Sequence, residues 1–161
     1  MLNQTGIPTL EQVLSRFPER KELVKAKAII ECYEDIPCNP CETSCPVNAI
    51  YIGKNINKQP VLDVEKCIGC GFCVEACPGL AIILAQIKAE KALFTIPYEF
   101  RPLPTKGEIW FGVDRSGKVI CEVKIKRVVL AKRQDHTAVV TVSVPAEYLY
   151  QFITIRVKQN E

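Results

Sequence analysis

The chain has 161 residues, of which 48% are hydrophobic and 24% charged, a composition typical of globular proteins and unlike that of disordered ones. Its formal net charge of +3 is too small to indicate nucleic-acid binding. No apolar run approaches membrane-spanning length, and no basic stretch followed by an apolar one opens the sequence, so we expect neither a membrane span nor a signal peptide.

The first 25 residues predict a helical extension. Thr9 is suited to cap a helix, and Gln12, three residues later, completes a capping box. A second helix is predicted to start at Pro18, because proline is favoured at the first helical position. The apolar side chains of the first helix fall on one face: Leu10, Val13, Leu14 and Phe17.

Two cysteine-rich loops follow a short strand predicted within residues 26–36. The second loop, Cys67–Pro78, reads C-I-G-C-G-F-C-V-E-A-C-P, which is the bacterial iron–sulfur spacing C-x2-C-x2-C-x3-C-P. Its glycines, Gly69 and Gly71, suit the positive φ angles of a tight loop. Zinc and disulfides are weaker interpretations, because zinc sites usually pair two C-x2-C halves across a longer gap.

The first loop, C-N-P-C-E-T-S-C-P at Cys38–Pro46, repeats the second at an offset of 32 positions. Asn39 falls on Gly71, and asparagine is the non-glycine residue that best tolerates a left-handed backbone. A duplicated unit of this length predicts two clusters related by a pseudo-twofold axis. The offset superimposes three pairs of cysteines: Cys38 on Cys70, Cys41 on Cys73 and Cys45 on Cys77.

The repeat breaks at Cys67, which falls on Asp35 instead of a cysteine. Three interpretations stay open. In the first, which we favour, Cys32 is the fourth ligand of an enlarged loop; otherwise Cys32 is a buried strand thiol. Alternatively, Asp35 binds iron through oxygen, a harder donor than sulfur. In the third interpretation the first site holds a three-iron cluster or none.

The cysteine beside the proline ligates the other cluster in two-cluster ferredoxins, so ligation is expected to cross between the loops. This predicts two [4Fe–4S] clusters. Cluster one is assigned to Cys32, Cys38, Cys41 and Cys77. Cluster two is assigned to Cys67, Cys70, Cys73 and Cys45. Because these thiolates must stay available to iron, we expect a reducing, cytoplasmic location.

Between the loops, a β-hairpin is predicted around Gly53–Gln59. A small apolar core is expected beneath the clusters, too small to hold without metal. Its predicted members are Ile50, Ile52, Val61, Ile82 and Leu84. In these features residues 26–88 resemble a bacterial two-cluster ferredoxin.

The remainder is predicted to be β-rich. Residues 81–96 give a closing strand and a return strand, and a hairpin turn is predicted at Asp114–Gly117. Cys121 is expected on the apolar side of the strand that follows, as a buried, inert thiol, and His136 in a solvated loop. The predicted fold class is α+β: a helical extension (1–25), a ferredoxin-like two-cluster domain (26–96), a proline-rich linker (97–104) and a small antiparallel β barrel or sandwich for docking (105–161).

No nucleophile–base pair, phosphate loop or convergent carboxylate set is evident, so a non-catalytic electron relay is predicted. The segments 31–41, 67–82 and P-Y-E-F-R-P-L-P-T-K-G-E at 97–108 resemble iron–sulfur subunits of multi-subunit FAD-dependent dehydrogenases for amino acids and amines such as proline, hydroxyproline, sarcosine or opines. The resemblance implies a FAD-containing partner subunit, and a second flavoprotein or iron–sulfur subunit, with no flavin on this chain. Two other hypotheses are a free soluble carrier and a structural or sensory iron–sulfur protein.

Overall fold

One seven-stranded antiparallel sheet dominates the computed structural model, which describes residues 2–158. The strand order is β1-β4-β5-β8-β7-β6-β9, and β2 and β3 form a separate two-stranded sheet. The strands are β1 Lys27–Ile30, β2 Ile50–Tyr51, β3 Val61–Leu62, β4 Ile82–Lys88, β5 Lys91–Tyr98, β6 Ile109–Asp114, β7 Val119–Val129, β8 Ala138–Pro145 and β9 Phe152–Arg156. The α-helices are α1 Leu10–Leu14, α2 Pro40–Thr43 and α3 Phe72–Ala76, and 3-10 helices cover Arg20–Val24, Lys132–Gln134 and Ala146–Tyr148.

Strands β1 and β4 form a wall between two hydrophobic cores. Successive side chains of a strand point to opposite faces, so a strand buried on both faces is apolar throughout. Ala28 and Ile30 of β1 face the smaller core around the cysteine loops, whereas Ile29 faces the larger core of the sheet. Ile82 and Ile83 of β4 divide in the same way. This double burial places the cysteine loops directly on the large sheet.

The large sheet coils around its core. Phe94 of β5 and Phe152 of β9, which lie four strands apart in the sheet, have ring centroids 4.7 Å from each other. A buried ion pair between Arg115, in the β6–β7 turn, and Glu31 ties this region to the end of β1. A separate C-terminal barrel or sandwich is not confirmed, because β6–β9 continue the sheet that β1, β4 and β5 begin.

The proline-rich segment starts inside a strand. Pro97 and Tyr98 are the last residues of β5 and pair with Val139 and Ala138 of β8. A proline fits there although it cannot donate a backbone hydrogen bond. The division into domains near residue 97 stays a prediction, and hydrogen-bonded strands run across it.

The N-terminal extension is helical only in short pieces. The predicted capping box is present, since the Gln12 N–H donates to Thr9 Oγ1 at 3.2 Å and Thr9 N–H donates to Gln12 Oε1 at 2.8 Å. However, Leu10 is 62% exposed and Leu14 is exposed as well, so the predicted apolar face is wrong for both. With only five residues, α1 presents little more than Val13 to the core.

The cysteine loops follow the predicted pseudo-twofold relation. Ile30 pairs with Ile82, and at the equivalent positions Leu62 pairs with Ile50 in the predicted hairpin between the loops. Ile50, Ile52, Ile82 and Leu84 are buried as expected. Val61 is 65% exposed, so its placement in the core is wrong: in a two-residue strand only one face is covered, and Val61 lies on the other.

Candidate metal centres

Two cavities under the cysteine loops are lined by thiols, four in each. Their other lining residues are mostly apolar, which suits a cluster held by thiolates and shielded from water. The cavity below β2 and α3 is lined by Cys45, Cys67, Cys70 and Cys73. The cavity beside α2 is lined by Cys32, Cys38, Cys41 and Cys77. The structure thus brings together the two sets of thiols that crossed ligation predicts.

Each loop ends in a short helix that carries one buried cysteine. Cys41 lies in α2 and Cys73 in α3, and both are buried. Gly71 begins α3 with φ of 87°, as its residue type suggested. The expectation of a left-handed Asn39 is wrong, since its φ is −143°. Asparagine tolerates the left-handed region, but the following Pro40 at the start of α2 favours an extended φ in the residue before it.

Backbone amides donate to sulfur at equivalent points of both repeats. The Ala49 N–H donates to Cys45 Sγ at 3.2 Å, and the Ala81 N–H donates to Cys77 Sγ at 3.4 Å. A left-handed residue aims each amide: Asn48 has φ of 50° and Leu80 has φ of 52°. Hydrogen bonds to sulfur are one of the means by which a protein sets the potential of an iron–sulfur cluster. The two left-handed residues lie at equivalent positions of the repeat. The left-handed conformation of Leu80 could not be predicted from its residue type, since leucine rarely adopts it.

Burial raises the pKa of the buried helical thiols Cys41 and Cys73. It raises the pKa of Cys73 to about 12, with the thiols of Cys67, Cys70 and Cys45 adding to the shift. Likewise, burial raises the pKa of Cys41 to about 11, with Cys77 adding to it. Since the thiolate is the metal ligand, a metal must displace a proton from each of these groups.

The structure separates Cys32 from Asp35. Cys32 lines the second cavity, and burial raises its pKa, with Cys77 and Cys38 adding to the shift. The Asp35 carboxylate instead accepts a hydrogen bond from Gln59 Nε2 at 3.1 Å and lies 3.6 Å from Lys58 Nζ. Asp35 is not among the residues that line the cavity.

The main-chain carbonyls at the start of each loop bind side-chain donors that the sequence patterns did not reveal. Buried Lys27 donates from Nζ to Val64 O and to Cys67 O, both at 2.7 Å. At the equivalent point of the first loop, Arg16 Nη2 donates to Cys32 O at 3.0 Å. A lysine within an apolar strand was the only available signal for Lys27.

Gln59 supports the first loop next to Arg16. It occupies the repeat position of Lys27, donates to Tyr33 O at 2.8 Å and hydrogen-bonds the Arg16 guanidinium. Arg16 also stacks over the Tyr33 ring, with its guanidinium carbon 5.1 Å from the centroid. In the first loop, Arg16 and the neutral Gln59 each donate to a backbone carbonyl, whereas in the second loop Lys27 alone donates to two.

The remaining candidates lie apart from the cavities. Cys121 is half-buried on β7, less buried than expected, and burial raises its pKa. His136 is exposed in the loop before β8, as predicted. Among residues 2–158, no three His, Cys, Asp or Glu side chains lie close enough together to bind a single metal ion, so the four thiols of each cavity do not form a site for one ion.

Comparison with known proteins identifies the region that carries the thiols. Residues 36–82 match the 4Fe-4S dicluster domain. The chain contains an iron–sulfur ferredoxin domain. The match includes seven of the eight thiols that line the two cavities and leaves Cys32 outside. Such a domain holds 4Fe–4S clusters, which fits the two four-thiol cavities.

Each of three relatives matches less than half of this chain. An uncharacterized ferredoxin of Methanocaldococcus jannaschii is 46% identical over 32% of this chain and 32% of its own length. A selenate reductase subunit of Mesobacillus selenatarsenatis is 31% identical over 44% of this chain and 22% of its own. A subunit of the ion-translocating oxidoreductase complex of Methanosarcina acetivorans is 39% identical over 45% and 25%, respectively.

The chain thus spans a third or less of these relatives. No solved structure matches it at a significant level. Within residues 2–158, every helix is too short or too polar to cross a membrane.

Proposed function

We propose that this protein relays single electrons through two [4Fe–4S] clusters as a non-catalytic subunit of an oxidoreductase complex. The observation that carries the proposal is the pair of cavities, each lined by four thiols. Cys45 and Cys77 are each the last cysteine of one loop but line the cavity of the other. This crossing supports the assignment of Cys32, Cys38, Cys41 and Cys77 to cluster one and of Cys67, Cys70, Cys73 and Cys45 to cluster two.

The clusters supply one-electron chemistry when bound, and the chain governs where and at what potential it occurs. Apolar side chains such as Leu62 and Leu84 keep water from the cavity of cluster two. The amides of Ala49 and Ala81 stabilise negative charge on sulfur. Because the two loops pack in one core, clusters bound in both cavities would be neighbours, as a relay requires.

A flavin-containing dehydrogenase subunit is the partner that we propose. A flavin can take two electrons from a substrate and release them singly to an iron–sulfur relay. Relatives named as subunits of reductases and oxidoreductase complexes support a role inside an assembly. The flanking segments 31–41 and 97–108, with their resemblance to amine dehydrogenase subunits, favour the flavin partner. A reducing, cytoplasmic location follows from the need for free thiolates.

Anaerobic reconstitution with iron and sulfide tests the relay. We expect about eight irons and about eight sulfides per chain, as two [4Fe–4S] clusters require. Electron paramagnetic resonance during a redox titration should show two one-electron centres that are reduced and reoxidised without loss. Bound zinc, or disulfides with no inorganic sulfide, would refute the proposal, and clusters that cannot be reversibly reduced would leave only a structural or sensory role.

Purification from the native host tests the assembly. A stable complex with flavin absorbance supports the role as a subunit. A monomer that exchanges electrons freely with several acceptors supports a soluble carrier, the second candidate, which the similarity to the Methanocaldococcus jannaschii ferredoxin favours.

A further inference from the structure

A groove on the large sheet begins at Cys70. Cys70 is the only exposed thiol of the eight that line the cavities, all of which lie in the described part of the chain. The groove has a volume of about 170 Å³ and runs from Cys70 and Gly71 across the sheet. Its floor is a row of directly paired residues on four adjacent strands: Leu84 of β4, Thr95 of β5, Thr141 of β8 and Arg127 of β7. The C-terminal strands β7 and β8 therefore contribute half of the groove floor, which begins at the Cys70 thiol.

Apart from Cys70, the charged side chains that line the groove are two arginines and one glutamate, a net positive set. Arg127 and Arg133 line it, opposed by the single carboxylate of Glu75. Arg133 Nε donates to Glu75 at 3.0 Å, and its guanidinium stacks 5.5 Å from the centroid of the Phe72 ring. None of the ion pairs among residues 2–158 involves Arg127, which is exposed. The Glu75 charge is thus neutralised, and that of Arg127 is not.

Apolar side chains flank the exposed thiol. Ile68 is 63% exposed and Phe72 is 38% exposed, one on each side of Cys70 in sequence. Apolar contacts with a charged rim are what short-lived protein interfaces use, since apolar area provides affinity and charge guides the encounter. Next to the groove, these two side chains mark the place where a partner can approach cluster two most closely.

We propose that the groove beside Cys70 docks an acidic segment of the redox partner, with a carboxylate pairing with Arg127. This inference rests on the proposed relay. One electron then passes between cluster two and a one-electron centre of the partner, so that one is oxidised as the other is reduced, and no bond or proton is exchanged. Arg127, the groove cation that has no carboxylate partner among residues 2–158, favours an Asp- or Glu-rich partner surface over a basic one.

The test uses reduced holoprotein and two small cobalt(III) oxidants of opposite charge, the tris(oxalato) anion and the hexaammine cation. In stopped-flow measurements at low ionic strength, Arg127→Glu should lower the anion-to-cation ratio of oxidation rates roughly tenfold, and salt should shrink the effect. Lys124→Glu is the matched control, because Lys124 is exposed on the same strand but does not line the groove. Equal changes in both variants would overturn the inference.

A glutamate hexapeptide tests the docking itself. It should slow oxidation by the anionic complex in the wild type and in Lys124→Glu, and have little effect in Arg127→Glu; equal inhibition of all three would overturn the inference. If Arg127→Glu loses iron, Arg127→Gln serves instead, with a smaller change in the same direction. Clusters that dithionite cannot reduce would count against the proposed relay. Reducible clusters whose oxidation rates do not change when Arg127 is replaced would count only against the proposed docking groove.

Discussion

The two cysteine loops are copies of one unit, yet they are held in different ways. The loop of cluster two, at residues 67–73, uses Gly69 and Gly71 with φ of 67° and 87°, and its carbonyls bind Lys27 from inside the repeat. The loop of cluster one has Pro37 and Asn39 at those positions, and its carbonyls bind Arg16 from the N-terminal extension. A duplicated unit has thus kept a cationic donor on each loop while the donor itself changed.

The difference has an electrostatic consequence. A positive charge near a cluster stabilises the reduced form, which is more negative, and therefore raises the reduction potential. The effect is greater where the charge is shielded from water. Lys27 is buried, whereas Arg16 is only half-buried and shares its site with Gln59. We expect the two clusters to respond unequally to the loss of their cations.

Removing one thiol from each set gives the largest effect. Cys73→Ala should lose cluster two, so that iron and sulfide fall by about half, because Cys73 is a buried thiol of that cavity and alanine offers no ligand. Cys32→Ala should lose cluster one or convert it to a three-iron form. Metal analysis and paramagnetic resonance measure both, and unchanged counts in Cys32→Ala would remove Cys32 from the ligands.

Gly69→Ala should break the loop of cluster two while sparing cluster one. A Cβ at Gly69 would collide with the Ala26 carbonyl oxygen, and φ of 67° adds strain. We expect a loss of stability well above the ~1–2 kcal/mol of a left-handed alanine alone. Gly117→Ala is the control, since it has a positive φ but an open surrounding. Thermal unfolding of the holoproteins compares them, and equal losses would show that the contact with Ala26 is unimportant.

Replacing Lys27 should shift one potential only. Lys27→Met keeps the length of the side chain but removes the charge, so the potential of cluster two should fall while that of cluster one stays. Lys27→Arg keeps the positive charge, so the potential of cluster two should stay close to that of the wild type. Redox titration followed by paramagnetic resonance resolves the two centres; a fall in both potentials would show that Lys27 acts on the domain as a whole.

Arg16→Gln should give the smallest effect, a modest fall in the potential of cluster one. Because Arg16 is only half-buried, water screens the effect of its charge on the cluster. In the variant, Gln59 can still donate to Tyr33 O. The same titration measures it, with Lys21→Gln as control because Lys21 pairs only with exposed Glu19. If Arg16→Gln shifted the potential as much as Lys27→Met does, the difference in burial between Arg16 and Lys27 would not determine how strongly each charge acts on its cluster.

The features that could be predicted from the sequence are those that depend on the spacing of residues along the chain. The thiol sets, the β2–β3 hairpin and the β6–β7 turn all follow from local residue types and the repeat. The Lys27 contact could not be predicted, because its acceptors lie about 40 residues away and meet it only through tertiary packing. The pairing of β5 with β8 was missed for the same reason: strand patterns indicate which residues face a core but not which strands are neighbours.

Because β1 and β4 form a wall shared by both hydrophobic cores, we expect division of the chain after β5 to disturb both of them. Cutting the chain after residue 96 would uncover the Phe94 and Ile96 side chains on one face and open the edge of β5 to aggregation. Removal of metal should act from the other face: because Ile30 and Ile82 pack in the core around the cysteine loops, we expect β1 and β4 to loosen when the loops do. We therefore expect loss of the inorganic centres to destabilise the large sheet as well as the cysteine loops.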